Sequence, residues 1–209
     1  MLVPMVIADD GLVGRYVGAS DGFARRLRLV TAGQWSAPTP CTDWDIRALV
    51  NHVAQANLNY VRLLDGASAA DFLRLRDADA LGTEPVDAFD ASARACAEAY
   101  AGPGALQRVV DHPSGKLTGA QALAVRTTDT IIHTWDLAQA IGADDTLDPD
   151  LLAWIEANIH EIYAGMAETP VSDQTTHRFY AAPAGDLPPG ASTQDRLLNL
   201  FGRTPTWSA

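Results

Sequence analysis

Basic residues are scarce in this chain. Lysine and arginine number 15 against 26 aspartates and glutamates, a formal net charge of −11. A surface of that sign repels phosphate backbones, which argues against nucleic acid as a partner. Cysteine is scarcer still. Cys41 and Cys96 stand far apart, too few for a disulfide scaffold or a Cys-rich zinc cluster, and read as reduced thiols. No apolar run reaches the roughly 18 residues that a membrane span needs. The opening stretch, MLVPMVIADD, is short and lacks a basic flank and a cleavage site of the secretory kind. These absences lead to the expectation of a cytoplasmic protein without membrane contact. Gly-rich phosphate loops and a G-x-S-x-G elbow are also missing.

What is present is ordinary globular material: 47% hydrophobic and 20% charged residues over 209 positions. That length suits one domain with a sizeable core. The apolar pattern is helical almost throughout. Leu12, Tyr16, Phe23, Leu27 and Val30 form one stripe in a first segment over roughly 8 to 32. After the proline-rich connector Ser36–Cys41, Thr42 and Asp45 give a capping-box-like start to a second helix. Leu49, Val53, Ala56, Tyr60 and Leu63 mark its buried face, and it ends near Asp65-Gly66. Residues 66 to 84 read as a loop with a short helix around Asp71 to Arg76. The third long helix runs from about 84 to 101, opened by Pro85, with Val86, Phe89, Ala93, Cys96 and Tyr100 as a bundle seam.

Residues 105 to 117 are extended or irregular, with a turn at Asp111–Gly115. A fourth long helix covers about Thr118 to Ala140 and stops at Gly142. A fifth starts at Asp148-Pro149 and ends before Pro170. Phe179–Pro183 reads as extended, and Ser192–Asp195 opens a short last helix ending at Gly202. The expectation is a single all-α domain over 1–209, a four-helix bundle core over about 8–142 and a C-terminal extension over about 148–209.

Two of the five histidines, His52 and His133, sit inside confident helices. Asp129 and His133 are four residues apart, on one helical face. If helices two and four of the bundle are neighbours, His52 reaches the same point from across the seam, and bundles commonly build metal sites this way. Two imidazoles and one carboxylate leave coordination positions open, which suits a catalytic ion. A hydrogen-bond network or a surface ion pair explains the same spacing. Asp136, three residues after His133, either supports that site or caps a loop, a bond to nearby backbone being preferred. Trp44 and Trp135 read as core or pocket wall. Cys41 reads as a packed thiol despite its place at a helix start. His160 and His177 read as surface residues.

The stretch PTPCTDWDIRALVNHV, residues 38–53, resembles a helix signature of the DinB-like metal-binding superfamily. The nearer group is actinobacterial and related to the N-terminal domain of mycothiol-dependent maleylpyruvate isomerase. Residues 129–138, DTIIHTWDLA, resemble that group's helix with a carboxylate and a histidine, and residues 192–205 resemble its C-terminal ending. The resemblance implies an up-down-down-up bundle with one long crossover. It implies a divalent metal on His52, Asp129 and His133, usually zinc, with nickel or iron as alternatives. It also implies use of mycothiol or a similar low-molecular-weight thiol. Two departures bear on the specific isomerase activity. Aspartate stands at position 129 where that enzyme has the longer glutamate, and the last forty or so residues are short for its second domain.

The leading expectation is a metal-dependent thiol transferase or isomerase acting on a small-molecule substrate, as a monomer or homodimer. Two alternatives stay open: a hydrolase-like or biosynthetic tailoring enzyme without a thiol, and a non-catalytic metal-binding or interaction module.

Overall fold

The computed structural model describes residues 11–166, 184–204 and 207. The elements are α1 (Leu12–Leu27), α2 (Ile46–Leu64), α3 (Ala69–Leu75), α4 (Pro85–Tyr100), β1 (Val109–His112), β2 (Gly115–Thr118), α5 (Gly119–Ile141), α6 (Pro149–Ile162) and α7 (Thr193–Leu200). The fold is all-α in class, with one small antiparallel hairpin pairing Val109 with Thr118 and His112 with Gly115.

Helices α1, α2, α4 and α5 form the bundle. Each packs against two others: α5 lies against α1 and α2, and α4 lies against the same pair from the other side. Two layers of core side chains give the helix directions. Leu12 and Tyr16 of α1 share a cluster with Tyr60 and Leu63 of α2, Tyr100 of α4 and Leu123 of α5. Phe23 and Leu27 share the other with Ile46 and Leu49, Phe89 and Leu137. The start of α1 thus meets the ends of α2 and α4 and the start of α5. That is the up-down-down-up order, and the parallel pair α2 and α4 requires the long crossover that carries α3. A third cluster joins the outer face of α5 to α6 and α7 through Ile131, Trp135, Ile155 and Leu198.

Because α5 is covered on all sides, nearly its whole length from Gly119 to Ala138 is buried. It still carries Thr127, Thr128, Thr130 and Thr134. Each hydroxyl donates to the carbonyl one turn earlier, at 2.8 to 3.0 Å, so none is left unpaired inside the bundle. Thr118 caps the start by accepting from the Gln121 amide, and Gly142 ends the helix in the left-handed region at φ 67°. Among the described residues no helix is long and apolar enough to cross a membrane.

Several boundaries differ from the sequence reading. Helix α2 begins at Ile46, and its cap is Asp45, which accepts from the Ala48 amide at 2.8 Å. Thr42 does not cap it. Residues 39–44 are instead held in a tight turn, where the Thr39 hydroxyl lies 3.1 Å from the Cys41 carbonyl and 2.9 Å from that of Trp44. Helix α1 ends at Leu27, short of residue 32. The stretch 105–117 resolves into the β1–β2 hairpin. The extended reading of Phe179–Pro183 and the placement of His177 lie outside the described residues.

Candidate metal centre

A cleft of about 300 Å³ opens between α2, α3, α5, the turn before α2 and the segment after α7. Its lining includes Trp44, His52, Tyr60, Arg126, Asp129 and His133. Helix geometry places them there. His52 and Tyr60 repeat at multiples of four along α2, and Asp129 and His133 are four apart on α5.

His52, Asp129 and His133 each offer one donor atom to a group in which all such atoms lie within 4.8 Å of one another. His52 Nε2 is 3.6 Å from Asp129 Oδ2, and His133 Nε2 is 3.4 Å from Asp129 Oδ1. Both separations exceed a good hydrogen bond. They match the edge of a tetrahedron around an ion with bonds of about 2.0–2.2 Å, which is about 3.3–3.6 Å. The donor chemistry and the spacing therefore fit a zinc-like ion.

The surrounding charges orient these groups. Arg126, 1% exposed, donates to Asp129 Oδ2 at 2.5 Å and to the Thr130 hydroxyl at 2.9 Å. Burial alone would raise the Asp129 carboxyl. The charges of His133 and Arg126 and the two imidazoles facing it outweigh it, so the group is held well below the usual carboxylate range. Burial pushes His52 down to about 4, against the pull of Asp129, which leaves a neutral imidazole with a lone pair to offer. His133 goes the other way. Burial disfavours its charge, but Asp129 on one side and Asp136 on the other raise it well above the ordinary histidine value.

Asp136 is fully buried and supports His133 from behind. It accepts from His133 Nδ1 at 2.8 Å, which turns Nε2 toward Asp129. The preferred sequence reading, a bond from Asp136 to nearby backbone, is therefore corrected. Its partners are side chains: His133, Cys41 Sγ at 3.2 Å, and Arg203, whose Nε and second guanidinium nitrogen donate at 3.1 and 2.7 Å. Arg203 also contacts Cys41 Sγ at 3.0 Å. Cys41, His133 and Asp136 form a second group with ligand-type atoms within 4.8 Å, but the Arg203 guanidinium is bonded to two of its three members and fills that side. Burial pushes the Cys41 thiol up, consistent with a packed cysteine.

Trp44 stands against His52 with ring centroids 4.6 Å apart and lines the cleft. Trp135 does not reach it. Its indole packs in the α5–α6–α7 core and donates to Asp145 at 3.2 Å. His160 is exposed. Sequence reasoning passed over Arg126 and Arg203. A lone arginine three residues before Asp129 was the signal for the first, and nothing local marks the second.

The family model for the mycothiol maleylpyruvate isomerase N-terminal domain matches residues 17–138. Two uncharacterized proteins of Mycobacterium tuberculosis, Rv0738 and MT0763, are each 36% identical over 190 residues, covering 89% of this chain and 94% of theirs. Among solved structures, a mycothiol-dependent maleylpyruvate isomerase superposes with a TM-score of 0.58 at 16% identity, over 76% of this chain and 72% of that one. The same enzyme carrying a histidine-to-alanine substitution gives 0.59 at the same identity and coverage.

Proposed function

Because the chain belongs to the mycothiol maleylpyruvate isomerase N-terminal domain family, we propose that it is a metal-dependent thiol transferase or isomerase that uses mycothiol or a similar low-molecular-weight thiol. The observation that carries this reading is the convergence of His52, Asp129 and His133 within 4.8 Å in an open cleft. When bound, a divalent ion, zinc by the nitrogen-rich donor set, supplies Lewis acidity that favours a thiol's thiolate form.

The chain's own residues do the rest. Asp136 and Arg203 hold His133 in one orientation, and Arg126 holds Asp129. Trp44 walls the cleft beside His52. The chemistry suited to this arrangement is addition of a thiolate sulfur to an electrophilic carbon of a small molecule. The electron-poor C=C bond gives up its π pair to the adjoining carbonyl as an enolate. In an isomerase rotation about the resulting single bond follows, and the enolate returns its pair and expels the thiolate. In a transferase the enolate takes up the proton that the thiol lost, and the sulfur stays.

The test is elemental analysis of the purified protein beside His52→Ala and His133→Ala, followed by thiol-consumption and maleylpyruvate isomerisation assays with mycothiol. About one equivalent of metal in the parent, lost in both variants, with turnover that requires the thiol, is the expected result. Turnover without any thiol would favour a metal-dependent hydrolase. Full activity in a metal-free variant overturns the reading.

A further inference from the structure

A second buried histidine, His112 on β1, stands behind the cleft and is 1% exposed. The Ser114 backbone N–H donates to its Nδ1 at 3.1 Å. An amide N–H can only donate, so Nδ1 is the unprotonated nitrogen. Burial holds the ring down at about 4, so it is neutral near pH 7 and its one proton lies on Nε2. Nε2 is 3.1 Å from the Tyr60 hydroxyl. In that contact the imidazole is the donor and the phenol oxygen the acceptor.

The hydroxyl hydrogen of Tyr60 is then free to point elsewhere, and no acceptor for it is present among the described residues. Tyr60 lines the cleft. It lies eight residues beyond His52 on the same face of α2, about 12 Å along the helix axis. Burial raises the phenol's pKa above its ordinary value, so it stays protonated as a donor. Accepting from His112 strengthens the bond it can donate. The other buried donor nearby, Arg126, gives its terminal nitrogens to Asp129 and Thr130 and keeps only its Nε–H without a partner.

We propose that Tyr60 donates a hydrogen bond to an oxygen atom at the far end of an elongated ligand, with His112 fixing its direction from behind. The ligand class is a molecule with its reactive end at His52, Asp129 and His133 and a carbonyl-type oxygen toward Tyr60. The near end rests on the function proposed above, and the part played by Tyr60 stands apart from it.

The probes are methyl-keto acids of increasing length, from levulinate upward, each compared by calorimetry with the fatty acid of the same carbon count. The parent is expected to prefer at least one keto acid over its fatty acid by about tenfold, the effect of one added hydrogen bond. Tyr60→Phe is expected to abolish that preference, leaving the fatty acid's affinity and the metal content unchanged. A purely structural role for Tyr60 would not remove the preference selectively. The preference persists in the metal-free protein even if overall affinity falls. Failure of the metal reading, with affinity indifferent to zinc, is thereby distinguished from failure of this one. Nitrogen NMR of His112 in the parent gives a second measurement that needs no variant, and the proton is expected on Nε2. The opposite tautomer, no keto-acid preference in the parent, or a preference that survives Tyr60→Phe overturns the proposal.

Discussion

His133 and Asp136 lie one turn apart on α5, and the His133 Nδ1 hydrogen bond to Asp136 Oδ2, at 2.8 Å, decides which imidazole nitrogen faces the cleft. A carboxylate behind a ligand histidine fixes its tautomer and raises its basicity. Asp136→Asn is therefore expected to weaken zinc binding by about 10- to 100-fold. Competition with a chromogenic chelator measures this. Unchanged affinity in a folded variant would mean that Asp136 has no part in holding His133.

Arg126 bears on stability and metal binding together. Arg126→Met leaves the Asp129 carboxylate without its guanidinium partner inside the bundle. Breaking a buried pair in this way costs about 3–5 kcal/mol. A divalent ion restores positive charge beside Asp129, so zinc should raise the melting temperature more in the variant than in the parent. Thermal unfolding with and without zinc tests this, and an equal shift in both proteins counts against it.

Acid should destabilise the metal-free protein before its carboxylates titrate. Burial holds His52 and His112 down at about 4, below the ordinary histidine value of 6.5. Between those limits the unfolded chain binds protons that the folded one excludes, so stability is present above 6.5 and is lost as pH falls toward 4. His112 alone contributes up to about 3 kcal/mol across that window. His133 has the opposite sign. Its raised value stabilises the fold fully below 6.5, and that contribution is lost only as pH rises through its folded value. Denaturant unfolding at about pH 7 and about pH 5 should show a lower midpoint at the acid value. In His112→Gln the drop should be smaller.

Gly119 opens α5 where the chain leaves the hairpin, and a Cβ there would lie 2.0 Å from the Ala105 carbonyl oxygen. That neighbour is backbone and cannot rotate away. Gly119→Ala is expected to destabilise the fold by about 3 kcal/mol. A variant as stable as the parent in denaturant unfolding would show that the hairpin yields at little cost.

Much of the bundle was legible because helical periodicity and caps are local. Pro85, Asp148-Pro149, Ser192 and Gly142 mark starts and stops that depend on a few neighbouring residues. The start of α2 was misplaced because the Thr39 hydroxyl ties residues 39–44 into a turn, and the Asp45 carboxylate beyond it accepts from the Ala48 amide as the cap. The hairpin was read only as extended or irregular residues with a turn at Asp111–Gly115, because short strands have too little alternation to show that they pair. On the site, the spacing of Asp129 and His133 fixed one face of one helix, since side chains four apart must project together. His52 joined them only on the condition that helices two and four are neighbours, and the resemblance implied the same three ligands.

The sequence by itself determined the helices, their buried faces and the pairing of Asp129 with His133. Each of these follows from the 3.6-residue period and from local hydrogen bonding. Only the tertiary structure decided that His52 meets that pair, that Arg126 pairs with Asp129 inside the bundle, that Arg203 crosses 67 residues to bind Asp136, and that His112 backs Tyr60. Those contacts join elements remote in sequence. Their partners are set by which faces the bundle brings together and by the need of every buried charge for a counter-charge.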